Sequence, residues 1–215
     1  GALEALGHLY AAVEQTGAWP DQVTYVQLPL LPKPAGGYRP IGLFSGIYRL
    51  YQRCRRADND AWERSHERGY LAMGKARATT DVVWRQGILA EKAQSHSGFA
   101  GTVLWDMVNC YESIRHEKLL EAALRHDYPL ALLRASLAMY CAPRFIILRG
   151  RTSPGIRPEL GVVAGCGGAT TFVRLFVLDE MDLFEAWHPR LTLDIFVDDI
   201  QVSAWGKTPA VVAIA

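Results

Sequence analysis

The sequence predicts an α+β fold organised around a late β-hairpin that carries two aspartates at its tip. Three observations support this. Several stretches repeat apolar residues every three or four positions, the period of an amphipathic helix. Short β-rich runs bounded by Pro and Gly lie between them. Finally, Leu191 to Trp205 reads LTLDIFVDDIQVSAW, with Leu193, Ile195 and Val197 before Asp198-Asp199 and Ile200, Val202 and Ala204 after it. That is the pattern of two strands joined at an acidic turn.

With 215 residues, half of them hydrophobic, the chain can bury one or two real cores and is not of disordered composition. Its 23 basic residues nearly cancel its 22 acidic ones, so net charge names no partner class. Arg39, Arg49, Arg53, Arg55, Arg56, Arg64, Arg68, Lys75, Arg77 and Arg85 make the first half locally basic, and solvated helix faces explain most of them. Cys54, Cys110, Cys141 and Cys166 show no CxxC spacing. Neither a disulfide framework nor a zinc site is expected, which points to a reducing, intracellular compartment with nucleus and cytoplasm both open. There is no signal peptide and no apolar run long enough to span a bilayer, so no membrane partner is expected. A start at Gly1 and a stop at Ala215 inside an apolar run suggest a piece of a longer protein.

In chain order, Leu3, Leu6, Tyr10 and Val13 mark a first helix, ended by Gly17 and Pro20. Val23 to Leu31 alternates like a strand, and PKPAGGYRPIG follows as a loop bearing Lys33 and Arg39. Two cations on a loop that Gly36 and Gly37 leave flexible can close over an anion such as a triphosphate. Ser45 can cap a helix to about His66, and Thr79 or Thr80 one that runs to about Gln94. Arg77, just ahead of the latter, is a candidate for a nucleic-acid phosphate. Phe99 to Trp105 reads as a buried-type strand ending in Asp106, where α/β and α+β folds place working carboxylates. DMVNCYESI then turns into a helix running to His126, with Tyr111 at the turn. Leu130 to Tyr140 is a helix, Arg144 to Leu148 a strand, and Gly150 to Pro154 its turn. Gly161 to Gly168 is glycine-rich without the spacing of a Walker loop or dinucleotide fingerprint, and leads into a helix from Ala169 to Trp187. After the hairpin, Thr208-Pro209 begins another helix.

If the Asp106 strand pairs with the hairpin, three carboxylates, Asp106, Asp198 and Asp199, converge. A buried like-charge group is costly unless a cation neutralises it, and carboxylate oxygens are the ligands Mg²⁺ prefers. Two Mg²⁺ ions about 3.5–4 Å apart can activate an attacking hydroxyl and stabilise departing pyrophosphate. With Arg39 and Lys33 as the cationic clamp, the combination reads as a nucleotidyl-transfer site.

On these motifs the sequence resembles reverse transcriptases of the non-long-terminal-repeat retrotransposon kind, related to group II intron enzymes. The resemblance runs from about Leu28 to Trp205. Leu31-Pro-Lys-Pro through Arg39-Pro-Ile is similar to the fingers segment that meets the incoming triphosphate, and Gly74 to Asp81 to the template-contacting segment after it. Asp106 with Tyr111 five places on matches the first palm motif, and Phe196-Val-Asp-Asp the aromatic-x-Asp-Asp motif about ninety residues later. The resemblance implies a right-hand fingers–palm core, with an antiparallel palm sheet packed on helices and the thumb missing. Residues 1–94 would be fingers and 95–215 palm. It further implies RNA-directed DNA synthesis with an RNA template, a DNA primer and deoxynucleoside triphosphates, and two Mg²⁺ ions with Mn²⁺ as a substitute. Asp106, Asp198 and Asp199 would be the catalytic metal ligands, assisted by the Met107 carbonyl. Lys33 and Arg39 would hold the triphosphate, Tyr111 would block a 2′-hydroxyl, and Gly165 would let the backbone approach the nucleotide. Oligomeric state is open.

The glycine-rich motif departs from the family's Gly-x-x-Gln-Gly: here it is Gly161-Val-Val-Ala164-Gly165, and Ala164 cannot make the glutamine's hydrogen bond. Gly167-Gly168-Ala169 stands where Pro and Ser are usual. The metal ligands are intact. Two alternatives stay open, an RNA-directed RNA polymerase and a catalytically inactive nucleic-acid-binding remnant.

Overall fold

A computed structural model of the chain describes residues 1–72 and 78–209. Its elements are α1 (Ala2–Thr16), a 3₁₀ turn (Asp21–Val23), β1 (Val26–Pro32), β2 (Tyr38–Pro40), β3 (Leu43–Phe44), α2 (Gly46–Cys54), α3 (Arg56–Ser65), α4 (Thr79–Ser95) and β4 (Phe99–Asp106). There follow α5 (Cys110–Ser113), α6 (His116–Arg125), α7 (Leu130–Tyr140), β5 (Arg144–Leu148), β6 (Arg151–Thr152), α8 (Ala169–Trp187), β7 (Thr192–Phe196) and β8 (Asp199–Gly206). They form two compact units, each built from two stretches of chain: Gly1–Trp62 with Tyr111–Phe176, and Glu63–Cys110 with the chain from Val177 onward.

In the first unit, α1 ends where the sequence stops it. Gly17 adopts φ 71°, a left-handed cap whose N–H donates to the Val13 carbonyl at 2.7 Å. The inward face of α1, Tyr10 and Val13, is buried. Tyr10, Trp19 and Tyr51 meet edge to face with centroids 5.2–6.3 Å apart, a geometry that adds to their burial. Ser45 caps α2 by accepting the Tyr48 N–H, and α2 turns Tyr48, Tyr51 and Gln52 inward. Arg55 grips Glu14 with two bonds of 2.6 and 2.7 Å, tying the end of α2 to α1. The unit's sheet runs β2-β1-β5-β6, with β3 also on β1. β1 and β5 are parallel, Val26 to Pro29 lying beside Arg144 to Ile147.

The second unit is built on an antiparallel sheet ordered β4-β8-β7. One face of it is apolar: Leu193, Ile195 and Val202 pack with Tyr70, Leu71 and Leu178, flanked by Met181, Phe184, Leu191 and Ile200.

Several expectations shift. The helix from Ser45 to His66 is two helices broken at Arg55, and the one expected after Asp106 is the short α5 followed by α6. The first strand begins at Val26, because Asp21–Val23 forms a 3₁₀ turn. Ala78, not a threonine, occupies the cap of α4, and the Asp81 carboxylate takes the Ala78 N–H at 2.8 Å. β4 is an edge strand with Phe99, Leu104 and Trp105 exposed, so its apolar run does not signify burial on both faces. The segment Gly74–Arg77 and the helix after Pro209 lie outside the described residues. Among the described residues no helix is long and apolar enough to cross a membrane.

Candidate active site

In the second unit β4 and β8 pair over their whole length, from Phe99 beside Gly206 to Asp106 beside Asp199. Residues directly opposite on an antiparallel pair share a face. Leu104 with Gln201, and Asp106 with Asp199, therefore lie on the face opposite the apolar core, joined from β7 by Asp194 and Phe196. With Thr79, Val82 and Val83 of α4 they line a pocket of about 420 Å³. β7 reaches β8 through Val197 and Asp198 alone, since Phe196 pairs with Asp199. Val197 sits at φ 59°, and left-handed geometry at the first central residue is the signature of a II′ turn. The Asp198 carbonyl accepts the Met107 N–H at 3.4 Å, so this turn is tied to the end of β4.

Asp106 and Asp199 are exposed, and Asp198 is half-buried in the turn. Side chains facing each other across an antiparallel pair have Cβ atoms about 4.5–5.5 Å apart, and like charges so placed repel. Two carboxylates in that register fit a hard divalent cation, which relieves the repulsion. Among the described residues no three His, Cys, Asp or Glu side chains are grouped closely enough to hold a metal. In the backbone, Asp198 occupies the turn, while Asp106 and Asp199 face each other across the strand pair beside it. Carboxylates at this strand end and turn suit Mg²⁺, which takes one or two of them and fills its octahedron with water and phosphate oxygens. The Met107 carbonyl already accepts the Cys110 N–H at 3.3 Å, leaving one lone pair for another partner.

The same face holds a group that the sequence analysis missed. Asp194 has a side chain only 1 % exposed, and Arg85 of α4 reaches its Oδ1 at 2.5 Å while also donating to the Gly69 carbonyl at 3.2 Å. Gln86 donates to Thr102 at 3.4 Å, and Thr102 bonds Ser203 at 3.1 Å. A polar sheet face is thereby satisfied by α4, which becomes the pocket's wall. The available signal was the alternation in LTLDIFV, which puts Asp194 opposite in sense to Leu193 and Ile195. On the far side Arg68 grips Asp182 at 2.9 and 3.0 Å, and Tyr70 donates to it at 2.6 Å. Burial first, and then that carboxylate, push the Tyr70 hydroxyl well above its ordinary range.

The remaining predicted residues belong to the first unit. Lys33 and Arg39 are exposed on the β1–β2 hairpin, where the Lys33 N–H donates to the Gly37 carbonyl at 3.0 Å. Tyr111 is half-buried in α5, and its carbonyl accepts the Val162 N–H at 2.7 Å. Beside that bond Gly161 adopts φ 93°, and a Cβ there would stand 2.9 Å from the Glu112 carbonyl oxygen. Gly165 adopts φ 94° and is exposed, as is Ala164. Gly42, at the end of the fingers-like loop, is obligatory: a Cβ would meet the Val163 side chain at 2.0 Å. Cys166 anchors the glycine-rich segment, lying buried at 3.2 Å from the Tyr48 hydroxyl, and burial raises its thiol pKa. Lys33, Arg39, Tyr111 and Gly165 thus share one unit, and Asp106, Met107, Asp198 and Asp199 the other. Arg77 lies outside the described residues.

Solved structures share this fold. Apo telomerase of Candida tropicalis, truncated from its C-terminal domain, superposes with a TM-score of 0.61 at 14 % identity, over 86 % of this chain and 44 % of its own. Telomerase of Candida albicans in complex with a TWJ fragment of telomeric RNA gives 0.59 at 11 % identity, over 87 % and 39 %. The Candida tropicalis enzyme in complex with a TWJ fragment gives 0.61 at 12 %, over 97 % and 40 %. The chain therefore spans about two-fifths of these proteins, and the likeness is one of fold. No curated protein sequence matches it. The sequence profile described as reverse transcriptase (RNA-dependent DNA polymerase) matches residues 31–214, taking in both the fingers-like loop and the aspartate hairpin. That match covers most of the chain, and the chain belongs to the reverse transcriptase family.

Proposed function

We propose that this chain is the fingers–palm part of an RNA-directed DNA polymerase, adding deoxynucleotides to a primer 3′ end, and that it is of the non-long-terminal-repeat retrotransposon or group II intron kind. The observation that carries the reading is the register that sets Asp106 opposite Asp199 at the tip of a paired sheet, inside the residues the family profile matches. The retroelement assignment rests on the motif order of the sequence, and the RNA template on the family together with neighbours that hold telomeric RNA. The functional division follows that order, fingers over 1–94 and palm over 95–215, although in packing 63–94 goes with the hairpin and 111–176 with the first strands.

Asp106 and Asp198 are the primary metal-holding residues in this reading, with Asp199 alongside and the Met107 carbonyl assisting. Mg²⁺, or Mn²⁺, bound there supplies Lewis-acid activation of the primer hydroxyl and neutralises charge on the leaving pyrophosphate. The hairpin's part is positional, since a two-residue turn bonded to Met107 holds the Asp198 backbone against the end of β4. Lys33 and Arg39 bind the triphosphate as point and forked cations. Tyr111 excludes a 2′-hydroxyl by bulk, and replacing it with Ala admits ribonucleotides. Gly165 offers exposed backbone without a side chain.

Primer extension on an RNA template with deoxynucleotides and Mg²⁺ tests this, run on the chain with Asp198→Asn beside it. Extension should fall by at least about a hundredfold in the variant, the scale of losing one transition-state charge contact, and should stop on chelation. RNA binding with no extension from any folded form would favour the nucleic-acid-binding remnant instead.

A further inference from the structure

The exposed turn of the glycine-rich segment hangs between two anchors in the first unit. Ala164 and Gly165 are exposed, while Val162, Val163 and Cys166 on either side of them are buried. The Cys166 N–H donates to the Val163 carbonyl at 3.2 Å, which closes the turn, and the Cys166 thiol lies against the Tyr48 hydroxyl. That is the downstream anchor. The upstream one is Gly161, whose backbone is engaged at both polar groups. Its N–H donates to the Ile114 carbonyl at 2.8 Å, and the next N–H, of Val162, to the Tyr111 carbonyl at 2.7 Å. The Gly161 carbonyl meets the ring of His116 at 2.9 Å.

His116 is the first residue of α6 and is half-buried. Its partners decide its tautomer. A carbonyl oxygen only accepts, so Nε2 carries the proton and donates to Gly161. That leaves Nδ1, 3.5 Å from the Cys141 sulfur, to receive the thiol S–H. Arg144 Nη2 reaches the same Gly161 oxygen at 3.5 Å, the outer limit of a hydrogen bond, so His116 makes the stronger contact. Glu112 closes the remaining side, since its carbonyl oxygen would stand 2.9 Å from a Cβ on Gly161. One short stretch thus seats the dipeptide Gly161-Val162. Tyr111, Glu112 and Ile114 act through their backbone, and His116 acts through its side chain.

We propose that His116 is a positioning residue for the incoming nucleotide. It does not touch substrate; by donating to Gly161 it sets the Ala164–Gly165 backbone and the Tyr111 turn in one fixed relation, and so governs deoxynucleotide affinity and sugar choice. This rests on the polymerase reading above, in which Tyr111 excludes a 2′-hydroxyl and Gly165 offers backbone. Because Ala164 brings no hydrogen-bonding side chain, the segment has only the position of its backbone to offer a nucleotide, and its anchoring matters the more.

Two measurements on the full chain separate the anchor from the polymerase reading. Amide hydrogen exchange needs no substrate. His116→Ala should speed exchange at Gly161 and Val162 about tenfold, the scale of one lost hydrogen bond. His116→Gln, whose amide nitrogen falls where Nε2 was, should restore it. In primer extension on an RNA template, His116→Ala should raise KM for deoxynucleotides about tenfold with kcat within about twofold of the unaltered chain. It should lower the preference for deoxynucleotides over ribonucleotides by a similar factor, and His116→Gln should return both. Circular dichroism checks folding; should the Ala variant not fold, His116→Asn, too short to reach the Gly161 oxygen, takes its place against His116→Gln. Unchanged exchange overturns the proposal, and so does an unchanged KM and sugar preference in a folded variant. A lowered kcat at unchanged KM also overturns it, by giving His116 a part in the chemistry. Failure of Gln to restore either readout reduces His116 to ring packing and overturns it too. If exchange responds as expected but the unaltered chain extends no primer, the polymerase reading falls and takes the nucleotide role with it, leaving the anchor as structure.

Discussion

Val197 is held at φ 59°, a backbone region that a β-branched residue occupies only when its surroundings force it. What forces it is the register: Phe196 pairs with Asp199, so two residues must close the hairpin, and the first of them needs positive φ. Such strain costs about 1–3 kcal/mol and collects at functional sites. Glycine would relieve it but loses about 0.5–1 kcal/mol in chain entropy, so Val197→Gly should stabilise the protein by about 1 kcal/mol, visible as a raised Tm. A lowered Tm would mean that the Val197 side chain contributes packing that outweighs the strain. Two glycines offer a contrasting pair. Both Gly161 and Gly165 have φ near 93°, but a Cβ at Gly161 would press on the Glu112 backbone at 2.9 Å, whereas the nearest atom at Gly165 is the Gly42 carbonyl oxygen at 3.5 Å. Gly165→Ala should cost about 1–2 kcal/mol, from conformation alone, and Gly161→Ala clearly more, because backbone has to move. Urea unfolding of the two variants side by side measures the difference, and equal losses would deny the close approach at Gly161. Both glycines could be singled out from their spacing in the motif. Which of them is structurally crowded could not, because that depends on where α5 passes.

Among elements, α4 depends most on a contact hidden from sequence. It lies on the polar face of the β4-β8-β7 sheet, and its Arg85 answers the buried Asp194. Asp194 is buried and Arg85 partly exposed, so removing the arginine costs about 1–3 kcal/mol, whereas replacing both partners by apolar groups is often neutral. Arg85→Ala should therefore destabilise by about that much, and Arg85→Leu with Asp194→Leu by far less, both read from chemical denaturation. Comparable losses in the single and double variants would show that the pair is peripheral to stability. The helices were largely legible because their signals are local. Gly17 stops α1, Ser45 starts α2, and the bounds of α7, β5 and α8 agree with those read from periodicity and flanking Pro or Gly. The strands were legible as strands but not as partners. Nothing in Val26 to Pro32 announces a parallel neighbour more than a hundred residues later, and the exposure of β4 follows from its edge position. The aspartates at the tip could be read from their motif; alternation puts Asp194, two residues before that motif, on the face away from Leu193 and Ile195, but does not announce its burial, because a lone acid in a strand also suits solvent. Its burial follows from α4 covering that face.

At the scale of the whole molecule the chain order and the packing order differ, and aromatic hydroxyls are sunk into both units. Tyr48 and Tyr140 in the first unit are fully buried, and burial, with the neighbouring Cys166 adding to it, raises both hydroxyls well above their ordinary pKa of 10.0. Tyr51, beside Glu14, and Tyr70 in the second unit, beside Asp182, are raised as well, again chiefly by burial. A group whose pKa is higher folded than unfolded stabilises fully below the unfolded value and loses that contribution as pH rises toward the folded one. Here the unfolded chain begins to release tyrosine protons near pH 10 while the folded chain keeps them. Each such group lowers stability by about 1.4 kcal/mol per pH unit above that point, so Tyr48 and Tyr140 together remove roughly 3 kcal/mol per unit. Against a total of about 5–15 kcal/mol, cooperative unfolding is expected between about pH 11 and 12, with no comparable change between pH 7 and 9. Alkaline titration followed by tyrosinate absorbance and circular dichroism together makes the check. The exposed tyrosines should ionise first, and the buried ones only as the helical signal collapses. Were all nine tyrosines to ionise while that signal persists, the aromatic interior of the first unit would be open to solvent. Tyr140→Phe should move the collapse to higher pH, since it removes one proton-releasing group and leaves the ring's contact with Phe172 in place.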